Sequence, residues 1–332
     1  MTRVFSGVKP TGSLQLGNYL GAIRRWAADQ ATDSDGRQHL YPIVDLHALT
    51  IEHDPAELRA RTLEVGGLLI ACGIDPDRSL VFAQSHVPAH TELTWLMEST
   101  VHVGELRRMV QFKEKSAAGG PIRVSLFTYP ALMAADILLY QVDEVPVGED
   151  QNQHVELARD LAQRFNQRYG EIFTVPRSVL PEVAARVMDL SDPAAKMGKS
   201  TRLDSPGVVR LLDPPDVVRR KVMRAVTDAG REVRYDPAQQ PGVANLLDIL
   251  AACTDGDPAV LAGEFSGYGR LKAATADAVV AVLEPIQARY TELAADPTGL
   301  RKVLARGAER AAELAAPTLA KARDAFGLLA PL

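Results

Sequence analysis

Short apolar runs that alternate with helical segments constrain the fold of this chain more than any other feature. Such runs lie at residues 4–5, 39–45 and 80–83, and segments with helical periodicity separate them. Short strands that are each followed by a helix are typical of a parallel sheet with helices on both faces. The sequence therefore predicts an α/β fold with a doubly wound parallel sheet.

The turn after the first run, within residues 5–21 (FSGVKPTGSLQLGNYLG), has the composition of a phosphate-binding loop. Gly7, Gly12 and Gly17 allow the backbone to approach a ligand closely, and Pro10 fixes its own φ angle. A helix that begins soon afterwards would direct backbone N–H groups at an anion. An ordinary N-terminal strand with a tight turn fits the same residues, so both interpretations stay open at this point.

Polar residues follow the next two apolar runs directly. Asp45 and His47 come after the second run, and Gln84 and His86 come after the third. Ligands of doubly wound sheets bind beyond the carboxyl ends of the strands. We therefore expect these side chains and the first turn to surround one crevice.

The rest of the chain is mostly helical in pattern. Apart from a short strand at 142–147, the sequence predicts helices at residues 54–72, 92–103, 104–116, 126–140, 152–169, 213–224, 241–253, 258–265, 269–290 and 298–326. Pro317 should interrupt the last of these, because proline removes an intrahelical hydrogen bond. The C-terminal part is thus predicted to be an all-helical domain.

Charge limits the kind of partner that the chain can bind. Its 37 basic and 42 acidic side chains give a net charge of −5, so a nucleic acid would need a local basic patch. Arg219, Arg220, Lys221 and Arg224 form the densest such patch, although a solvated helix face explains it equally well. The two cysteines form no CxxC motif, and no apolar segment reaches the roughly 18 residues of a membrane span. We expect a cytoplasmic protein that is not bound to a membrane.

Two lysines lie three residues apart in a loop at residues 187–200. Lys196 and Lys199 flank a methionine and a glycine there, and could reach a polyphosphate as point charges. Glu149 and Asp150 form an acidic pair at a strand-to-helix junction. A solvated loop and simple helix capping are the alternatives for these two features.

Two stretches resemble the paired ATP motifs of class I aminoacyl-tRNA synthetases, which read roughly HIGH and KMSKS. They are residues 10–18 (PTGSLQLGN) and 196–200 (KMGKS). Three further runs, at 104–116, 128–140 and 145–151, are similar to those of bacterial tryptophanyl-tRNA synthetases in order and spacing. The resemblance covers essentially the full chain.

The resemblance implies a Rossmann-type fold and a reaction in two steps. ATP, accompanied by Mg²⁺, would activate L-tryptophan to tryptophanyl-adenylate with release of pyrophosphate, and tryptophan would then pass to the 3′ end of tRNA(Trp). It implies a nucleotide-binding catalytic domain at 1–203 with a helical insertion around 104–140. A helical anticodon-binding domain at 204–300 and a C-terminal helix at 301–332, packed back on the catalytic domain, would follow. Members of this family are homodimers.

The family's functional residues carry over onto matching positions of this chain. The implied catalytic residues are Lys115, Asp150, Lys196 and Lys199. The implied ATP-binding residues are Lys9, Pro10, Thr11, Gly17, Asn18, Gly148, Glu149, Asp150, Val187, Lys196, Met197, Gly198, Lys199 and Ser200. The implied tryptophan-binding residues are Phe5, Gly7, His47, Tyr129, Met133, Asp136, Val145, Val147 and Gln151. No tightly bound metal is implied, since Mg²⁺ would arrive with ATP.

Asp136 has the most specific of these implied roles. A lone carboxylate in an apolar wall needs a partner, and the indole N–H is a donor only. An acceptor at that depth would favour tryptophan over phenylalanine, because phenylalanine leaves the buried group unpaired. A structural carboxylate that pairs with neighbouring protein donors is the alternative.

Three positions depart from the family's usual pattern. Gln15 replaces the first histidine of HIGH and remains a donor, while Gly198 replaces the serine of KMSKS. Lys9 stands where the family commonly has glutamine, beside the expected tryptophan carboxylate. We therefore expect a variant form with reduced sensitivity to inhibitors that mimic tryptophan.

Three other functions fit parts of the pattern. A tyrosyl-tRNA synthetase shares the fold and mechanism but has a different motif in place of residues 148–151 (GEDQ). A small-molecule adenylyltransferase would not need the helical half. A non-catalytic paralogue would be expected to lose Asp136, Asp150, Lys196 and Lys199.

Overall fold

The computed structural model of the chain describes residues 1–32, 36–117, 121–148, 151–179, 186–198 and 205–329, with the backbone alone at 114–117. Within these residues one sheet has five strands, which are β1 (Arg3–Phe5), β2 (Gln38–Ile43), β3 (Leu80–Ala83), β4 (Glu144–Pro146) and β5 (Arg177–Val179). All neighbouring strands are parallel, in the order β3-β2-β1-β4-β5. The predicted doubly wound parallel sheet is confirmed, and the order of its strands reverses between β1 and β4.

Helices account for most of the remaining described residues. In chain order they are α1 (Leu16–Asn18), α2 (Arg24–Thr32), α3 (Asp45–Ala48), α4 (Pro55–Ala71), α5 (Ala89–Glu98), α6 (Val103–Arg108), α7 (Val110–Ala117), α8 (Val124–Leu138), α9 (Asn152–Tyr169), α10 (Pro215–Met223), α11 (Pro241–Thr254), α12 (Pro258–Ala262), α13 (Tyr268–Ala295) and α14 (Pro297–Ala325). A π-helical turn (Tyr19–Ile23) joins α1 to α2, and a 3₁₀ turn (Gln84–His86) follows β3. None of the helices in the described ranges is long and apolar enough to cross a membrane.

Several predicted boundaries were wrong, and local chemistry explains them. The predicted helix 104–116 is broken at Met109, whose backbone is extended (φ −61°, ψ 128°). Strand β5 was missed because its arginine and serine are polar and it is not fully buried. Pro317 does not interrupt α14, since it lies on the exposed face, where water can satisfy the carbonyl that loses its donor.

The sheet separates two apolar cores. Tyr41 and Ile43 of β2 point into one core, and Leu40, which precedes Tyr41 in the same strand, points into the other. The same alternation holds in β3, where Val81 faces the first core and Phe82 the second. This period of two places helices on both faces of a buried parallel sheet.

A stripe of small residues lets α14 lie directly on β3. Its buried positions include Gly307, Ala308, Ala311 and Ala315, spaced so that they share one face. A Cβ atom on Gly307 would lie 2.0 Å from the backbone oxygen of Val81. The close contact between this helix and the sheet therefore depends on a glycine.

Replacement of Gly307 by alanine should destabilise the protein. The new methyl group meets strand backbone, which cannot move as a flexible side chain would, so we expect a loss of about 3 kcal/mol. Gly269→Ala is the matched control, since no atom lies within 4 Å of the Cβ position on that helical glycine. It should be neutral or stabilise by up to about 1 kcal/mol. Equal unfolding midpoints in urea for the two variants would contradict this account.

Candidate active site

Gln15 joins the first turn to the loop that carries Lys196. Its backbone N–H donates to Asn18 Oδ1 at 3.2 Å, and its Oε1 accepts from the N–H of Gly17, which caps the start of α1. Its Nε2 donates to the backbone oxygen of Met197 at 2.8 Å, across 182 residues of chain. The two stretches that resemble paired ATP motifs are therefore in direct contact through one buried amide.

The loop segment before Gly198 is held on both sides by hydrogen bonds. Met197 N donates to Val187 O at 3.2 Å. Asn245 of α11 donates to Met188 O at 3.1 Å and accepts from Met188 N at 2.9 Å. Since Val187 and Met197 are each 2% exposed, their side chains pack in the core, whereas Lys196 between these contacts is exposed.

Lys9 extends from the first turn towards the end of α3. Its Nζ donates to Thr50 Oγ1 at 3.2 Å, and that hydroxyl donates to the backbone oxygen of His47 at 2.9 Å. Pro10 is buried and Thr11 is half-buried beside it. The ammonium of Lys9 thus lies close to the residue expected to frame the amino acid.

Strands β1 and β4 bring several of the predicted tryptophan-binding residues together at the point where the strand order reverses. Phe5 and Val145 are buried in one apolar cluster, and Met133 and Val147 pack against it. Crevices at such reversal points are the usual ligand sites of doubly wound sheets. Gly7 follows directly, where a Cβ atom would lie 2.8 Å from Val44 Cγ1.

Helix α8 presents three predicted residues on one face. Tyr129, Met133 and Asp136 are spaced i, i+4 and i+7, which aligns them along a helix. The ring of Tyr129 lies edge-on to His47, with ring centroids 6.1 Å apart. The structure therefore brings His47 and these α8 residues together beyond the carboxyl end of β2.

Asp136 is paired with protein donors, as the structural alternative for this carboxylate expects. It is 1% exposed, and its oxygens accept from His90 Nδ1 at 2.7 Å, Gln84 Nε2 at 2.6 Å and His47 Nε2 at 2.8 Å. Burial alone would raise the pKa of Asp136, but the hydrogen bonds from His47 and His90 outweigh it and lower the pKa to about 2. The group is an ionised acceptor at neutral pH.

Tyr129 has its own partners at the other end of this face. Its hydroxyl lies 3.1 Å from Gln111 Oε1 and 2.5 Å from His154 Nε2, and burial raises its pKa. Gln151 is half-buried at the start of α9, where its N–H donates to Gly148 O at 3.0 Å. Gly148 itself is exposed.

Sequence reasoning missed most of the partners of Asp136 and Tyr129. Gln84 was expected in the crevice from its place after β3, but His86 from the same turn is exposed. His90 and His154 gave no signal, because a buried histidine on a helix looks the same in sequence whether it supports a site or only packs. Contacts between distant elements leave no local pattern.

Several predicted residues lie outside the described part of the chain. They are the side chain of Lys115 and residues Glu149, Asp150, Lys199 and Ser200. Their roles stay predictions.

Within the basic patch at residues 219–224, Lys221 is used inside the protein, whereas Arg219, Arg220 and Arg224 are exposed. Lys221 is buried, and its Nζ donates to Asp213 Oδ2 and to Val208 O, each at 2.7 Å. Arg219 pairs with Asp277 of α13. Both interpretations of the patch stay open for the three exposed arginines, while Lys221 supports the segment that leads into α10.

The Asp136→Asn variant should be less stable than the wild type. Three donors would face a neutral amide that can accept fewer of them, which costs about 2–4 kcal/mol near neutral pH. Because the folded pKa of about 2 lies below the ordinary pKa of an aspartate, about 3.9, the stabilisation is complete above the unfolded pKa and is lost as the pH falls through the folded one.

Urea unfolding at several pH values measures how the stabilisation by Asp136 depends on pH. The difference between wild type and Asp136→Asn should shrink as the pH is lowered from about 7 to about 3. Asp277→Asn, which removes an exposed carboxylate paired with Arg219, is the control and should change stability by less than about 0.5 kcal/mol. A pH-independent gap would contradict the proposed ionisation.

A family model and a known protein both match most or all of this chain. The family model described as tRNA synthetases class I (W and Y) matches residues 1–284. "Tryptophan--tRNA ligase 1" of Streptomyces coelicolor is 60% identical over 336 aligned positions, which cover all of this chain and 99% of that protein.

Solved structures agree in fold over the whole chain. A tryptophanyl-tRNA synthetase from Mycoplasma pneumoniae has a TM-score of 0.90 at 36% identity and covers 99% of this chain and 98% of its own. A Campylobacter jejuni tryptophanyl-tRNA synthetase, solved with ADP and tryptophan, has a TM-score of 0.84 at 32% identity. It covers 98% of this chain and all of its own.

Proposed function

The chain belongs to the class I tRNA synthetases for tryptophan and tyrosine, and we propose that it activates L-tryptophan with ATP and attaches it to tRNA(Trp). It is a tryptophan–tRNA ligase. The observation that carries this assignment is the full-length relationship at 60% identity to a protein of that name. That relationship favours tryptophan over tyrosine and leaves no support for a small-molecule adenylyltransferase.

The activation step needs positioning and charge neutralisation. The carboxylate of tryptophan attacks the α-phosphorus of ATP, a P–O bond to the leaving pyrophosphate breaks, and the adenylate remains. Lys196, with Lys199 and Lys115, would neutralise the β- and γ-phosphates, and Mg²⁺ would enter as part of the substrate Mg·ATP. The amide link from Gln15 to Met197 supports this role, because it holds the Lys196 loop against the first turn.

Tryptophan would bind between β1, β4 and α8. Phe5, Met133, Val145 and Val147 would contact the indole ring, and Asp136 would accept its N–H. His47, Tyr129 and Gln151 would frame the ring or bind the ammonium and carboxylate groups. The buried ionised acceptor supports this assignment, since phenylalanine offers no N–H to it.

The domain organisation, the cellular location and the oligomeric state are part of the same proposal. The catalytic domain would span residues 1–203, with the helical domain at 204–300 binding the anticodon and the segment 301–332 packed back on the catalytic domain. The contact of α14 with β3 supports the last point. The enzyme would act as a homodimer in the cytoplasm. Sedimentation equilibrium at micromolar protein concentration tests the dimer.

Tryptophan-dependent ATP–pyrophosphate exchange tests the activity. We expect exchange with tryptophan and at most traces with tyrosine or phenylalanine. Lys196→Ala should lower kcat by about 10²-fold, since it removes one positive charge from the phosphate side, and leave tryptophan binding unchanged. Lys302→Ala, an exposed lysine of α14, is the control and should behave as wild type. Exchange with tyrosine alone would refute the proposal.

Lys9 allows a second test of the site. The Lys9→Gln variant should bind a tryptophan-mimicking inhibitor about tenfold more tightly, because it removes a cation from the pocket. Thr50→Val removes the hydroxyl that accepts from Lys9 Nζ but keeps the ammonium. This variant therefore tests whether the position of the charge matters, apart from its presence. Equal inhibition of wild type and Lys9→Gln would show that Lys9 does not set inhibitor sensitivity.

A further inference from the structure

The two oxygens of Asp136 have different surroundings. Oδ1 accepts from Gln84 and His90, and both of these side chains are 0% exposed. Oδ2 accepts from His47, whose side chain is 12% exposed and lies next to Tyr129. Oδ1 is therefore anchored in the interior, and Oδ2 is the oxygen on the pocket side.

Counting acceptor positions leaves one free site on this carboxylate. An ionised carboxylate has about four lone-pair positions. Gln84 and His90 use those of Oδ1, and His47 uses one of Oδ2. The remaining position belongs to Oδ2, on the side where the substrate ring would lie.

A buried chain of hydrogen bonds holds the ring of His90. Because the ionised carboxylate is an acceptor only, the hydrogen between the two groups is on His90 Nδ1. The hydroxyl of Tyr140 lies 2.8 Å from Nε2, so both ring nitrogens have a buried partner. Tyr140 is 0% exposed and burial raises its pKa, so its hydroxyl keeps its proton to donate.

We propose that His90, with its ring held by the hydroxyl of Tyr140, is a positioning residue for amino-acid selection. It holds Oδ1 of Asp136 in the interior, so that the free lone pair of Oδ2 points at the ring N–H of the substrate. This inference rests on the proposed function, in which Asp136 accepts the indole N–H. Its consequence is discrimination between rings that carry an N–H and isosteric rings that do not.

Tyr140 contributes through its hydrogen bond to His90 and not through contact with the substrate. Without its hydroxyl, His90 Nε2 loses its buried partner, and only the bond from Nδ1 to Asp136 still orients the imidazole ring. A ring held at one nitrogen can tilt, which weakens its hydrogen bond to Oδ1 and lets the Asp136 carboxylate turn. The selectivity for an N–H should then fall more than the stability of the fold.

Tyr140→Phe tests this with a single-atom deletion. The readout is the ratio of kcat/KM values in pyrophosphate exchange for tryptophan and for its benzothiophene analogue, in which sulfur replaces the ring N–H. We expect the variant to lower this ratio about tenfold, the effect of weakening one hydrogen bond to a charged group. An unchanged ratio would overturn the inference.

Tyr41→Phe is the matched control. Tyr41 is 1% exposed, and its hydroxyl lies 3.1 Å from His39 Nδ1, so the substitution removes a buried tyrosine–histidine contact outside the site. Its ratio should equal that of the wild type. A fall as large as that of Tyr140→Phe would mean that the effect is a general loss of packing, and would also overturn the inference.

Two substitutions of His90 provide independent evidence. Asn places an amide N–H near the position of Nδ1, so His90→Asn should keep more of the ratio than His90→Leu, which has no donor. Equal ratios for the two would contradict the role of His90. If His90→Leu does not fold, Tyr140→Phe and Tyr41→Phe decide the matter alone. Absence of exchange with tryptophan in the wild type would instead refute the proposed function itself.

Discussion

The buried charge of Asp136 is the constraint on which the candidate site depends. An ionised carboxylate at 1% exposure is stable only where donors surround it, and three side chains from three different elements supply them. His47 comes from α3, Gln84 from the turn after β3 and His90 from α5. Helix α3, the turn after β3 and the start of α5 must therefore each lie at a defined place near α8. The carboxyl ends of β2 and β3, which lead into α3 and the turn, are fixed with them.

A second set of contacts ties the first turn to the helical part. Gln15 links that turn to Met197, and Asn245 of α11 holds the neighbouring backbone at Met188 through both polar atoms of its side-chain amide. Lys221 binds the backbone of Val208. Hydrogen bonds therefore join the first turn, the Lys196 loop and the helical part.

Sequence patterns were enough to predict the elements that are determined by residues close together in the chain. The period of the apolar residues predicted the parallel sheet, and α9 begins and ends at the predicted residues 152 and 169. Asp54 caps α4 and Pro55 follows it, so this helix begins within one residue of the predicted position 54. Strand β5 and the break at Met109 were missed because tertiary contacts override weak local preferences there.

The site could be predicted only in part for a related reason. Asp136 stood out because a carboxylate within an apolar helix needs an explanation. Of its partners, His47 and Gln84 were expected in the same crevice, but His90 was missed, since it is 46 residues away and only the fold brings it to Asp136. The sequence left open an acceptor for the substrate and a carboxylate paired with protein donors, and the structure shows that Asp136 has three such donors.

A crystal structure of the protein with L-tryptophan bound would test the central claim most directly, through the distance between the indole nitrogen and Oδ2 of Asp136. The account predicts a separation of about 2.7–3.2 Å, with His47, Gln84 and His90 still donating to the carboxylate. An indole nitrogen directed at another acceptor, or a carboxylate that has lost His90, would contradict it.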